Sequence, residues 1–141
     1  MEVKSIVAVT LIERPVNVVW EYFINPSDIQ KWLINAQGYC CIDAVNDVRE
    51  NGVYHFQMQH PHTQALFEIK GTYVQVIPQQ ILVATTEQGK KITTEFQQID
   101  ENTIVRETSA LQDGASHSVL KEVREYILNS FKKYVESQPI V

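Results

Sequence analysis

The amino-acid sequence predicts an α+β fold in which a curved antiparallel sheet of about seven strands wraps around a long C-terminal helix. Two observations predict it. Apolar and polar residues alternate from residue 40 to residue 110, as in strands with one buried face. Residues 116–136 contain no Gly or Pro and place apolar residues at helical spacing. We expect one domain over residues 1–141, because single cores typically occupy ~100–200 residues.

The first strand is predicted to lead into two short helices. Residues 3–12 are rich in Val, Ile and Thr, which favour strands. After Pro15, apolar residues recur at the spacing of one helix face: Val16, Val19, Trp20 and Phe23. Asn25 is a good N-cap and Pro26 suits the first helical position, so a second helix begins there.

Six further strands follow, and turn residues such as Glu50-Asn51-Gly52 and Gln88-Gly89-Lys90 separate them. Their predicted ranges are 41–47, 53–60, 65–77, 81–87, 91–99 and 103–110. Gly71 alone among the glycines lies inside a strand-like run, which indicates a bulge or the close approach of another element.

This order of elements is that of the helix-grip architecture. A strongly curved sheet and a straight helix do not match along their full length, so space can remain between them. Side-chain volume decides whether that space is packed or hollow.

Motifs along nearly the whole chain resemble those of a known family. The opening ones are Arg14-Pro15-Val16-Asn17-Val18-Val19-Trp20, Phe23, Asn25-Pro26 and Lys31-Trp32. Later ones are Gly52 before Tyr54-Phe56-Met58, Gly71 before Tyr73 and Pro78, and the closing amphipathic helix. In this order they resemble the activator of heat-shock-protein ATPase homologue-like domains of the SRPBCC (START-like) superfamily. After Trp32 the chain departs from the family pattern, which commonly has a second Trp or Gly-Pro where this chain has Leu33-Ile34-Asn35.

Composition and charge exclude several classes of function. With 17 acidic against 12 basic side chains, the chain lacks the Lys and Arg excess of a nucleic-acid binder. No apolar run approaches the ~18 residues of a membrane-spanning helix, so we expect no membrane insertion. The N-terminal residues show no signal peptide, and Cys40 and Cys41 are adjacent and expected to be free thiols. We therefore expect a cytoplasmic protein.

The apolar face of the predicted sheet supplies the candidate ligand-binding residues. On the sheet side they are Trp32, Tyr54, Phe56, Met58, Phe67, Tyr73 and Phe96, and on the final helix Val123, Ile127 and Phe131. Aromatic and Met side chains give shape-tolerant apolar contacts. We predict non-catalytic binding of a hydrophobic or amphipathic small molecule between sheet and helix, with a filled core as the alternative.

Catalytic and metal sites have weak support in the sequence. His60-Pro61-His62 has no third ligand nearby, and no nucleophile elbow or phosphate loop is present. We predict no catalytic residue, metal or cofactor. Strand periodicity leaves the face of Glu107 open: an internal carboxylate would suit a ligand anchor or an acid/base. We expect instead that Glu107 is exposed or paired with Arg106 or a cross-strand Lys.

Two alternative functions and one assembly remain as hypotheses. The resemblance implies a protein-interaction module that docks onto a chaperone and stimulates its ATPase. A cavity enzyme, a cyclase or hydrolase, would need an internal ionisable residue such as Glu107. A homodimer would form by pairing of an exposed edge strand, either the first strand or the one at 41–47.

Overall fold

The computed structural model describes residues 5–111 and 116–140, and its elements follow the predicted order. The strands are β1 (Ser5–Ile12), β2 (Cys40–Asn46), β3 (Val53–Gln59), β4 (Leu66–Ile77), β5 (Ile81–Thr86), β6 (Lys91–Ile99) and β7 (Asn102–Ala110). The helices are α1 (Val16–Ile24), α2 (Pro26–Trp32) and α3 (His117–Ser137). Residues 3 and 4 of the predicted first strand lie outside the described residues.

Within these residues, seven strands form one antiparallel sheet in the order β1-β7-β6-β5-β4-β3-β2. The predicted α+β helix-grip class is therefore confirmed. The sheet edges are β1 and β2, the two strands from which dimer pairing was predicted. Helix α3 packs against β1, where Lys132 Nζ donates to the carbonyl oxygen of Leu11 at 2.6 Å, and α2 packs against β2. Helices thus lie beside both edges, and the homodimer stays a prediction.

The two short helices begin as their sequences predict, by different means. The Asn25 side chain accepts a hydrogen bond from Ser27 N at 3.0 Å, so it caps α2, with Pro26 at the first helical position. Helix α1 has no side-chain cap of its own. Its Val16 N–H donates instead to Gln98 Oε1 of β6 at 3.0 Å, which ties the start of α1 to the sheet.

The three helices meet in an aromatic cluster at one end of the inner face. The Phe131 side chain is fully buried, and its ring centroid lies 4.8 Å from that of Trp32 and 5.2 Å from that of Phe23. Trp32 Nε1 donates to the carbonyl oxygen of Tyr22 at 2.9 Å, and Ser130 Oγ donates to that of Trp32 at 2.8 Å. These polar contacts fix the short helices against α3 around the buried rings.

Gly71 lies where the Tyr54 side chain crosses β4. The two residues are register partners on β3 and β4. A Cβ atom at Gly71 would lie 2.1 Å from Tyr54 Oη and 2.3 Å from Cζ, far inside van der Waals contact. The close approach predicted from this glycine is therefore confirmed, and the approaching group is a buried tyrosine ring.

Substitution Gly71→Ala should displace the Tyr54 ring and lower the free energy of unfolding by about 1–3 kcal/mol, the usual cost of overpacking a core. Urea denaturation measures this change. Thr72→Ala, at the exposed neighbouring position on the opposite face, is the matched control and should stay within about 0.5 kcal/mol of the parent. An equal loss in both variants would contradict the packing explanation.

Candidate functional site

A cavity of about 150 Å³ lies between the inner face of the sheet and α3. Five aromatic side chains line it: Phe23, Trp32, Tyr54, Phe56 and Tyr73. Aliphatic side chains of β4, β5, β6 and α3 complete the apolar wall, among them Ile69, Leu82, Ala84, Ile92, Ile127 and Leu128. The cavity adjoins the aromatic cluster, since Phe23 and Trp32 belong to both.

Half of the predicted ligand-binding residues line this cavity: Trp32, Tyr54, Phe56, Tyr73 and Ile127. The other five, which do not line it, are Met58, Phe67, Phe96, Val123 and Phe131. Met58, Phe96 and Phe131 are buried in the surrounding core, and Val123 is half-buried on α3. The structure thus brings five of the ten together around one space, and their role in binding stays a prediction.

Phe67 lies away from the cavity although it shares the inner face of β4 with Ile69 and Tyr73. It lies near the β3–β4 hairpin, where its ring centroid is 5.0 Å from that of Tyr39, and it is 38% exposed. Strand alternation predicts the face of a side chain, but it carries no information on where along the strand the covering helix ends. This is why Phe67 and Tyr73, which look alike in sequence, have different surroundings.

Glu107 points into the interior from β7, so the expectation of an exposed carboxylate, or of one paired with Arg106 or Lys, is wrong. Its side chain is 13% exposed, and its register partners are Ala8 on β1 and Thr94 on β6. Thr103, Val105 and Ser109 are buried on the same face of β7, whereas Arg106 is exposed. The buried apolar Val105 fixes the face of the strand and turns Glu107 inward with it.

The partner of Glu107 is Arg124 of α3. Arg124 Nη1 lies 3.5 Å from Glu107 Oε1, and the Arg124 side chain is 34% exposed. Both residues line the cavity, and Arg124 was not among the predicted site residues. A signal was present: Arg124 follows Leu120 by four residues and precedes Ile127 by three, so a cation interrupts the apolar stripe of the helix.

Burial sets the ionisation of the polar groups in the cavity wall. It raises the pKa of Glu107 above the ordinary value of 4.5, while the positive charge of Arg124 acts in the opposite direction. Burial also raises the pKa of Tyr54 and Tyr73, so both phenols stay protonated at neutral pH. The Tyr73 hydroxyl donates to Asn46 Oδ1, and Asn46 Nδ2 donates to the carbonyl oxygen of Ile24 at 2.8 Å. The wall therefore offers one acid, one cation and phenolic hydroxyls around an apolar space.

The histidine and cysteine motifs have local structural partners. His60 Nδ1 accepts hydrogen bonds from the backbone N–H groups of His62 and Thr63, both at 3.2 Å, within the β3–β4 turn. The buried Cys41 thiol donates to the carbonyl oxygen of Asp43, and burial raises its pKa to about 11, which disfavours the reactive thiolate. Among residues 5–111 and 116–140, no three His, Cys, Asp or Glu side chains are grouped to hold a metal ion.

The described part of the chain also contains no helix that is both long and apolar enough to cross a membrane.

Comparison with known proteins gives a family and several structures of the same fold. Residues 13–136 match the family model described as activator of Hsp90 ATPase homolog 1-like protein. No curated protein matches the sequence.

Solved structures resemble this chain over nearly its full length. An AHSA1-like protein from Aeromonas hydrophila has a TM-score of 0.88 at 24% identity, covering 95% of this chain and 93% of its own. A protein from Rhodobacter sphaeroides has a TM-score of 0.83 at 12% identity, with coverages of 96% and 93%. One from Cytophaga hutchinsonii has a TM-score of 0.78 at 24% identity, with coverages of 94% and 92%. At these identities the likeness shows the fold alone.

The raised pKa of Glu107 predicts a pH dependence of stability. Above pH 4.5 the folded chain holds the Glu107 proton over an interval in which the unfolded chain has lost it. The free energy of unfolding therefore falls as pH rises through this interval. Glu107→Gln lacks the titrating group, so wild type should lose stability relative to this variant from pH 4.5 upwards.

Urea denaturation of both proteins at a series of pH values measures the difference between their free energies of unfolding. The other carboxylates are present in both proteins, so their contributions cancel in this difference. A constant difference across the range, or one that changes in the opposite direction, would contradict a buried carboxyl at this position.

Proposed function

This chain belongs to the family of activator of Hsp90 ATPase homolog 1-like proteins, and we propose that it binds a small hydrophobic or amphipathic molecule without catalysing a reaction. The observation that carries the proposal is the aromatic-lined cavity between the sheet and α3. Its apolar rings and aliphatic side chains suit the body of such a guest, and the polar groups of its wall suit a polar end.

The size of the cavity limits the guest. An apolar cavity of ~150 Å³ in another protein holds one benzene ring, whereas drug-sized ligands occupy pockets of roughly 300–1,000 Å³. A volume of about 150 Å³ therefore favours a single ring or a short branched chain.

Packing energetics favour an occupant over an empty space. Unfilled core volume lowers stability by ~24 cal/mol per Å³, so a void of this size would cost roughly 4 kcal/mol if it were enclosed and dry. A guest that fills it recovers much of this cost in dispersion contacts with the surrounding rings.

A second candidate function is suggested by the family itself. Its description names activation of the Hsp90 ATPase, so an interaction module that docks onto an Hsp90-type chaperone is the alternative. Purified chain added to such a chaperone should then increase the rate of ATP hydrolysis several-fold. An unchanged rate, with the chaperone active on its own, would argue against this alternative.

The cavity-enzyme alternative has less support. The inward position of Glu107 favours a cyclase or hydrolase, but among the described residues that line the cavity Glu107 is the only carboxylate. Raised pKa values make the phenols of Tyr54 and Tyr73 weaker acids and keep them protonated at neutral pH, so neither is a good second acid/base group beside Glu107. This alternative requires that Glu107→Gln abolish turnover in a variant that still folds.

Filling the cavity should abolish ligand retention. Ala84 lines the cavity from the inner face of β5, so Ala84→Leu places extra methyl groups in the space of the guest. Native mass spectrometry of the purified wild type should show an excess mass that disappears on denaturation, and Ala84→Leu should lose this excess.

Thr85→Leu is the matched control, because Thr85 lies on the opposite face of the same strand, and this variant should keep the bound mass. If the wild type shows no excess mass even after incubation with small aromatic compounds, ligand binding in this cavity is contradicted.

A further inference from the structure

We propose that the ligand is a small organic cation, an amine with one apolar ring, whose ammonium group binds the Glu107 carboxylate inside the cavity. This proposal rests on the proposed function and names the chemical class of the ligand.

The two charges in the wall differ in depth. Glu107 lies on β7, which is paired with a strand on each side, and its side chain is 13% exposed. Arg124 lies on α3, and its long, flexible side chain is 34% exposed. Their Nη1–Oε1 distance of 3.5 Å exceeds the ~2.7–2.9 Å of a direct charge-assisted hydrogen bond. The Arg124 guanidinium can move outward to water, but the Glu107 carboxylate is held by its strand.

The Glu107 carboxylate also has unused capacity to accept hydrogen bonds. In the described part of the chain, its one charged partner is Arg124, which contacts Oε1. A carboxylate can accept about four hydrogen bonds, so the single contact with Arg124 leaves room for further donors. An ammonium group carries N–H donors that would satisfy this capacity.

The aromatic lining favours the same sign of charge. The Tyr54 ring centroid lies 5.4 Å from that of Phe56 and 5.3 Å from that of Tyr73, so three rings are grouped on the same wall. Aromatic faces attract cations, most strongly where water is excluded. The net charge of −5 on the whole chain also attracts cations over anions.

An anionic ligand is the opposing possibility, with Arg124 as its anchor. Such a ligand would place its negative charge beside the Glu107 carboxylate, which is the deeper and less movable of the two charges. Like charges at close range repel, most strongly in a low-dielectric interior. The geometry therefore favours the cation, and anion binding becomes an outcome of the test.

Three probes with one benzene ring and different charges are used: benzylamine, benzyl alcohol and benzoate. Comparing them separates the effect of ligand charge on binding from that of apolar contacts. Their dissociation constants are measured by NMR titration near neutral pH on the wild type, Glu107→Gln and Arg124→Gln, after circular dichroism has shown that each variant is folded. We expect wild type to bind benzylamine at least tenfold more tightly than benzyl alcohol. Glu107→Gln should remove this preference and still bind the alcohol. Arg124→Gln should bind benzylamine several-fold more tightly, because the competing cation is gone.

The other outcomes distinguish failure of the cation proposal from failure of the proposed ligand binding. Equal binding of amine and alcohol by the wild type overturns the cation proposal and leaves ligand binding in the cavity intact. Preference for benzoate that is lost in Arg124→Gln overturns it in favour of an anionic ligand. If none of the probes binds, both the cation proposal and the proposed function are contradicted. If Glu107→Gln does not fold, the Arg124→Gln result decides, since unchanged or weaker benzylamine binding there overturns the proposal.

Discussion

Packing of the fully buried Phe131 of α3 against the two short helices is the contact on which the rest of the interior depends. The rings of Phe23 and Trp32 lie against Phe131, and Phe96 lies against Phe23, so bulky side chains from α1, α2 and β6 close one end of the space beneath the helix. Toward Arg124, the facing side chains of α3 and of the sheet leave the cavity between them.

The walls of that cavity follow from backbone constraints as much as from side-chain size. Gly71 has no Cβ, which lets the Tyr54 ring lie across β4, and from there Tyr54 packs against Phe56 and Tyr73. The Tyr73 hydroxyl is fixed in turn by Asn46, which also binds the end of α1. One missing methyl group thereby positions the aromatic wall on which the proposed ligand would rest.

Burial of a carboxylate in this wall is unfavourable for stability alone, since its desolvation is only partly offset by a partner at 3.5 Å. Buried ionisable groups are concentrated at binding and catalytic sites. There, a bound ligand supplies the charge or hydrogen bonds that the group lacks in the free protein. If the cavity holds the proposed ligand, the Glu107–Arg124 pair links the stability of the fold to ligand binding.

The sequence by itself determined the fold class, the order of the elements and, to within one residue, the bounds of β2 to β7. It did so because alternation, helical spacing and residues such as Asn25, Pro26 and Gly71 act through local backbone geometry. It also indicated the buried face of β3 and β4, which is why Tyr54, Phe56 and Tyr73 were correctly placed on the inner side. Only the tertiary structure decided which inner residues surround empty space: Phe67 and Tyr73 share a face, yet only Tyr73 reaches the cavity. It also decided the face of Glu107 and its pairing with Arg124. The physical reason is that periodicity specifies the direction of a side chain, whereas its neighbours depend on where a distant helix crosses the sheet.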